Sequence, residues 1–391
     1  MSSFDFDAPI NRRDVPALKT HKMVLGPDGA QLFPGGVADM DFAVAPPIQN
    51  AMRKRLEHGV FGYEAVPDGL FPALQDWYAR RHGWDIPSDQ ILRAPNALNA
   101  LAVATSLFSA HGDGIIVQPP VFFDFFDIIR ENKRSVVCNP LINAGNRYEM
   151  DFDGLELLAK DPRSTLLFLC NPHNPVGRVW SKDELKTLSD ICLRHNVRVI
   201  TDELHGDIVR PRHRYIPFAT VSPEAAANSI TILSPAKTFN IASCCSAFTI
   251  VPDATCRAAV QVENSRLTVN KNNAFANVAM EAAFREGEPW LKAAMEYIDG
   301  NLSVLRDVIS GIPGVEMVEP EATFLVWLDF RGLNMAPEDL HLFLRERAGM
   351  ALTRGVSFGQ EGAGFMRLNI ACRRIALQHA LDGLSAAVAD R

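Results

Sequence analysis

The feature that most constrains this chain is a succession of short apolar runs, each closing on polar or turn-forming residues. "GIIVQPP" (114–120), "STLLFLCNP" (164–172), "RVITDE" (198–203), "SITILSPAK" (229–237) and "SAFTIV" (246–251) are too short for core helices and read as buried strands. Between two of them, "SKDELKTLSDICLRHN" (181–196) brings Leu185, Leu188, Ile191 and Cys192 to one helical face. Ser181 is placed to cap that helix, with Glu184 as its capping-box partner. Strand, amphipathic helix, strand is the pattern of βα units around a largely parallel sheet. From about Glu288 the pattern changes to long helical stretches, then "FLVWLDF" (324–330), "GFMRLNIAC" (364–372) and a final Ala/Leu-rich helix. This predicts a large domain over 44–287 and a smaller α+β domain over 288–391, completed by an N-terminal arm over 1–43.

Composition narrows the partners. Lys plus Arg number 39 against 46 Asp plus Glu, a formal charge of −7, and no basic run tracks a phosphate backbone, so nucleic acid is not an expected partner. The seven cysteines are scattered, several inside apolar runs, and none has zinc spacing. That usage fits a reducing compartment and no structural metal. The N-terminus lacks an apolar signal core, and no segment approaches the ~20 apolar residues that span a bilayer. A cytoplasmic protein without a membrane partner is expected.

In open α/β sheets ligands bind beyond the carboxyl ends of the strands, so the polar residues that close the apolar runs are the candidate site. "NPHNPVGR" supplies Asn171 and Asn174, "TDELH" supplies Asp202 and His205, "SPAK" supplies Ser234 and Lys237, and "APNALNAL" (94–101) links a possible strand, "QILRA", to a helix. Each has an ordinary reading: Asn-Pro segments make turns, and a strand-end Asp can simply cap a helix. The combination is more specific than its members.

Together these residues resemble the fold-type I enzymes that use pyridoxal 5′-phosphate (PLP), the class I/II aminotransferase-like superfamily, in which the order Asn174, Asp202, Ser234, Lys237, Arg367 recurs with similar gaps. The resemblance narrows to the cystathionine β-lyase-like branch of carbon–sulfur lyases through "VADMDF" (37–42), "EHGVFGY" (57–63), "CNPHNPVGRVW" (170–180), "SPAKTFNIA" and "FMRLNIAC". It implies an α/β fold, with a mostly parallel seven-stranded sheet flanked by helices and a smaller α+β domain.

It also implies roles. Lys237 would be joined to the PLP aldehyde and would later serve as the Cα proton base, both of which need a neutral, partly desolvated amine. Asp202 would keep the pyridine nitrogen protonated. Asn174 would donate to the ring's 3′-oxygen, with His205 nearby where many aminotransferases carry tyrosine. Phe122 would stack on the ring. The 5′-phosphate would rest on the N–H groups of Ala97 and Leu98 and on the Ser234 hydroxyl. Arg367 would grip the substrate carboxylate beside Ala38 and Asn174. Tyr63 would reach the phosphate of the other subunit in a homodimer.

Three departures from that pattern surround the cofactor. Ser243, Cys244 and Cys245 stand where related lyases carry Gly-Leu-Lys, removing a cation from the phosphate. Phe122 replaces a tyrosine, and Gly36 replaces a tryptophan, which would widen the substrate side. The implied activity is β-elimination from an S-substituted L-cysteine to thiol, pyruvate and ammonia. Decarboxylation-linked oxidative deamination of a cysteine S-conjugate to an aldehyde, transamination, and a binding or regulatory role without turnover are the alternatives.

Overall fold

In the computed structural model, residues 4–27, 29–145, 147–269 and 271–391 are described. The apolar runs form strands β1 (Ile91–Ala94), β2 (Gly114–Val117) and β3 (Ser135–Cys138), a small hairpin β4 (Ile142–Asn143) and β5 (Tyr148–Glu149), then β6 (Ser164–Cys170), β7 (Arg198–Asp202), β8 (Ser229–Leu233) and β9 (Ala247–Ile250). Apart from the hairpin they make one seven-stranded sheet in the order β1-β9-β8-β7-β6-β2-β3. β9 runs antiparallel to both neighbours, and the other pairs are parallel.

Strand periodicity explains why these runs are continuously apolar. Along β6, Leu166, Phe168 and Cys170 enter the core on one face, while Leu167 and Leu169 enter that on the other. A sheet covered by helices on both faces needs apolar residues at every position rather than at alternate ones. Helix Lys182–Arg194 covers the second face through Leu185, Leu188, Ile191 and Cys192, and its capping box is present between Ser181 and Glu184. Helices Ala97–Phe108 and Asp124–Glu131 cover the first.

A second, antiparallel sheet follows the 22-residue helix Glu288–Ile309. It consists of β10 (Glu316–Val318), β11 (Leu325–Asp329), β12 (Thr353–Arg354) and β13 (Phe365–Asn369), in the order β10-β11-β13-β12. One extended core joins this sheet, the long helix and the closing helix Arg374–Ala389 to helix Leu70–His82 and to Phe6 of the N-terminal arm. β13 thereby carries Arg367 toward the carboxyl ends of the parallel strands. Among the described residues, no helix is long and apolar enough to cross a membrane.

Candidate active site

The site is framed by a segment with no regular structure. Between residues 36 and 42 six of the seven backbone carbonyls accept from side chains of two distant motifs, one of which carries the site lysine. Gly36 O accepts from Arg367 Nη2 at 2.9 Å and Ala38 O from Lys237 Nζ at 2.6 Å. Val37 O and Asp39 O both accept from Asn369 Nδ2, at 2.7 and 2.6 Å. Met40 O and Phe42 O accept from Asn240 Nδ2, at 2.9 and 3.0 Å. Irregular backbone inside a protein is tolerated when its polar groups are satisfied in this way. From the other side, Arg12 pairs with Asp39 at 2.6 Å and Asp41 at 2.8 Å, while buried Lys19 pairs with Asp41 at 3.0 Å. The arm thus clamps the "VADMDF" segment, and that segment holds the lysine.

Lys237 follows β8 by four residues, and its part-buried amine has no carboxylate partner among the described residues. Burial lowers its pKa, and the nearby positive charge of Arg367 lowers it further, against the opposing pull of Asp39 and Asp202. The amine is therefore biased toward the neutral form that a nucleophile and base requires.

Asp202 closes β7 and is buried, accepting one hydrogen bond from the Leu204 N–H at 3.2 Å. Burial raises its pKa to about 6, and no cation pairs with it among the described residues. Its neighbour Glu203 is anchored by Thr201, Asn171, Tyr215 and the Phe218 N–H. The Glu203 N–H also bonds Ile232 O of β8 at 3.0 Å, so the backbone that presents Asp202 is held at the sheet.

Arg367, only 2% exposed, donates from Nη1 to Asn174 Oδ1 at 3.0 Å and lies over the Phe358 ring at 4.9 Å. Because the Asn174 oxygen is committed to Arg367, its amide NH2 is the group left to donate elsewhere. Asn174 itself lies on a loop pinned by His173, whose Nε2 bonds Pro120 O at 2.9 Å, and by Arg178, which pairs with Glu184 and Glu321. Gly177 in that loop has φ +72°, and a Cβ there would stand 2.9 Å from Pro320, so both conformation and space require glycine.

Ser234 is buried after β8, where its hydroxyl accepts the Ala236 N–H at 3.2 Å and donates to Ser246 O at 3.0 Å. Cys245 Sγ lies 3.5 Å from the same hydroxyl, and burial pushes that thiol's pKa up, away from an anionic form. Ala97 and Leu98 begin helix Ala97–Phe108. The Asn96 side chain takes the Asn99 N–H at 2.8 Å, and the Ala97 and Leu98 N–H groups have no partner among the described residues. His205 is buried against Phe324 with Nδ1 unpartnered, and burial lowers its pKa to about 3, so it is neutral. The Phe122 ring packs edge-on to Phe125 at a centroid distance of 5.8 Å.

Tyr63 stands apart from this set. It is fully exposed, at 106% of the reference area, on a protruding segment that also exposes Val60 and Phe61. The Gly36 departure has a different meaning from the one expected. A Cβ at Gly36 would meet Thr353 Oγ1 at 3.2 Å, so its free side points at β12, and Thr353 already occupies the space that a larger residue would need.

Sequence reasoning missed Asn240, Asn369 and Asp124. The first two lay inside quoted motifs, three residues after Lys237 and two after Arg367, and that spacing was the available signal. The Asp124 carboxyl begins helix Asp124–Glu131, with its pKa raised by burial and by Asp127 and held down by Lys237 and Arg367, which places a third acid within electrostatic reach of the lysine.

The arrangement can be set beside known proteins. The family described as Aminotransferase class I and II matches residues 43–384. The chain belongs to this family. It is 38% identical over 357 residues to cystathionine beta-lyase PatB of Bacillus subtilis, covering 91% of this chain and 92% of that protein. The PLP-bound crystal structure of a putative aminotransferase from Clostridium difficile superposes with a TM-score of 0.96 at 37% identity, over 99% of this chain and 100% of that one. Cystalysin from Treponema denticola, whose crystal structure contains PLP, gives 0.95 at 31% identity over 99% of each chain. The fold expected from the motif segments is therefore borne out.

The residues present fit PLP. Asp202 is a buried carboxylate lacking a cation, which a protonated pyridine nitrogen would complete, and the unpaired N–H groups of Ala97 and Leu98 suit a phosphate.

Proposed function

We propose that this chain is a PLP-dependent carbon–sulfur β-lyase that converts an S-substituted L-cysteine to a thiol, pyruvate and ammonia. The observation that carries this reading is the convergence of a buried-side amine, an unpaired buried carboxylate and a buried guanidinium at one end of the sheet, in Lys237, Asp202 and Arg367. PLP, when bound, supplies a cationic ring that accepts the electrons of a bond broken at the substrate α-carbon.

The chain's own groups do the rest. Lys237 would hold the cofactor aldehyde and, when free, would be the base for the Cα proton; the Ala38 carbonyl gives its amine a fixed resting place. Asp202 would keep a proton on the ring nitrogen. The Asn174 amide would donate to the 3′-oxygen while its own oxygen steadies Arg367. Arg367 orients the substrate by its α-carboxylate, which fixes the Cα–H bond relative to Lys237. The N–H groups of Ala97 and Leu98 would receive the phosphate, as would Ser234 once its hydroxyl turned from the Ser246 carbonyl. Phe122 gives an apolar wall but has no proton to donate, so Lys237 is the group available for proton transfer to a leaving thiolate.

The assembly reading is a homodimer in which Tyr63 enters the partner's site. Its full exposure on a segment shared with Val60 and Phe61 supports this. The free cysteines support a cytoplasmic setting, and the two sheets support division into domains at residues 44–287 and at 1–43 with 288–391.

Incubation of purified protein and PLP with a panel of S-substituted cysteines, read by mass spectrometry, tests the reaction. Pyruvate and free thiol are expected. A keto acid that retains sulfur, or carbon dioxide with an aldehyde, would overturn the elimination reading in favour of transamination or decarboxylation.

A further inference from the structure

The groups assigned to the phosphate, the N–H groups of Ala97 and Leu98 and the hydroxyls of Ser234 and, across the dimer, Tyr63, are neutral, and Cys245 adds no positive charge. A phosphate dianion held away from water needs a fixed cation, because charge-assisted contacts are about twice as strong as neutral ones. We propose that Arg93 is that cation; the assignment rests on the PLP reading above.

Arg93 lies on β1, paired in register with Phe248 of β9, one residue before the turn into the helix that begins at Ala97. Its side chain reaches toward the start of β9, where Nη2 donates to Ser246 Oγ at 3.1 Å. Ser246 O is the acceptor of the Ser234 hydroxyl at 3.0 Å, and Cys245 Sγ touches the same hydroxyl at 3.5 Å. A single serine therefore links the guanidinium to the hydroxyl assigned to phosphate, at the strand ends where the Ala97 and Leu98 N–H groups lie unpaired.

The guanidinium is placed to receive an anion. Nη1 donates to Asn272 Oδ1, and Asn272 is held in turn by Glu64 O, 3.1 Å from its Nδ2. Among the described residues, Nε is buried without a partner. Burial depresses the Arg93 pKa, and among the described residues no neighbouring carboxylate offsets it. Other part-buried arginines of this chain, such as Arg12 and Arg178, have carboxylates against them. An unpaired, partly desolvated guanidinium is costly by itself and gains when a dianion arrives.

The test separates phosphate from ring. Cofactor-free wild type, Arg93→Ala, Arg93→Gln and Arg93→Lys are titrated with PLP and with pyridoxal, which lacks the phosphate, following protein fluorescence, with thermal melts of the cofactor-free chains as the folding control. Arg93→Ala and Arg93→Gln are expected to weaken PLP by about 10–150-fold, the factor a charge-assisted hydrogen bond supplies, and to change pyridoxal by less than about twofold. Arg93→Lys is expected to recover most of the loss, as is Cys245→Lys added to Arg93→Gln. Glutamine keeps a donor toward Ser246, so this variant remains informative if the alanine variant does not fold. Equal weakening of both ligands, or no weakening of PLP, overturns the assignment. A wild-type chain that binds neither ligand overturns the PLP reading itself, and Arg93 with it.

Discussion

The two ends of the site are built differently. At the substrate end Arg367 has both terminal nitrogens engaged, by Asn174 and Gly36, and the neighbouring backbone between residues 36 and 42 is stitched by Asn240, Asn369 and Lys237. At the cofactor end the polar groups wait: the Asp202 carboxylate has one N–H and no cation, His205 Nδ1 has no partner, and the N–H groups of Ala97 and Leu98 are unpaired among the described residues. Each buried polar group left unpaired costs roughly 1–3 kcal/mol, so the buried Asp202 and His205 side chains leave interactions unmet at the cofactor end. Among the described residues the chain meets the terminal nitrogens of its substrate clamp, leaving Arg367 Nε buried without a partner, and leaves most of the cofactor end for a ligand to complete.

Substitutions at each end test that contrast. The largest effect is expected at the residue shared by both ends. Lys237→Ala should lower turnover by at least ~10⁴-fold, the upper range for a positioned base, as measured by pyruvate release. At the substrate end, Arg367→Lys should cut kcat/KM by about 10–150-fold while PLP affinity, read by fluorescence, stays near wild type. An equal loss of PLP binding would show that the two ends are not separable.

At the cofactor end, Asp202→Asn should loosen PLP yet stabilise the cofactor-free chain. The folded carboxyl, at about 6, lies above its ordinary value of 3.8, so the folded state holds this proton more tightly than the unfolded state. Its burial therefore costs stability that is fully felt above pH 6 and relieved as the pH falls toward 4. Denaturation at pH 8 should show a gain of up to about 3 kcal/mol in the variant, shrinking at pH 4. For the same reason wild-type PLP affinity should fall as the pH drops below about 6, where the cofactor-free chain protonates Asp202. The smallest effect belongs to the stitching: Asn240→Ala should lower stability by about 1–3 kcal/mol at all pH values from 5 to 8, with kcat falling as Ala38 loses its hold on Lys237.

What the sequence made legible follows the same division. The central strands and helix Lys182–Arg194 were readable because continuous apolar runs and a capping box are local signals. β3 was not, since it is a four-residue edge strand whose outer residues, Ser135 and Cys138, are exposed. Lys237, Asp202 and Arg367 stand out as charged residues beside apolar runs. Asn240 and Asn369 do not, because their work is to satisfy carbonyls about 200 and 330 residues away in sequence, a pairing no local pattern announces. Asp124 is hidden in the same way, among phenylalanines that advertise only packing. The consequence of Gly36 was misread because its open side points at Thr353, a residue that only the second sheet brings there.

The proposed chemistry depends on the Lys237 amine, and borohydride reduction of the PLP-incubated protein, followed by peptide mass spectrometry, shows whether that amine holds the cofactor. A pyridoxyl label on the peptide spanning Ser234 to Lys237, absent from Lys237→Ala, is the expected result. A label on another lysine, or none at all, would contradict it.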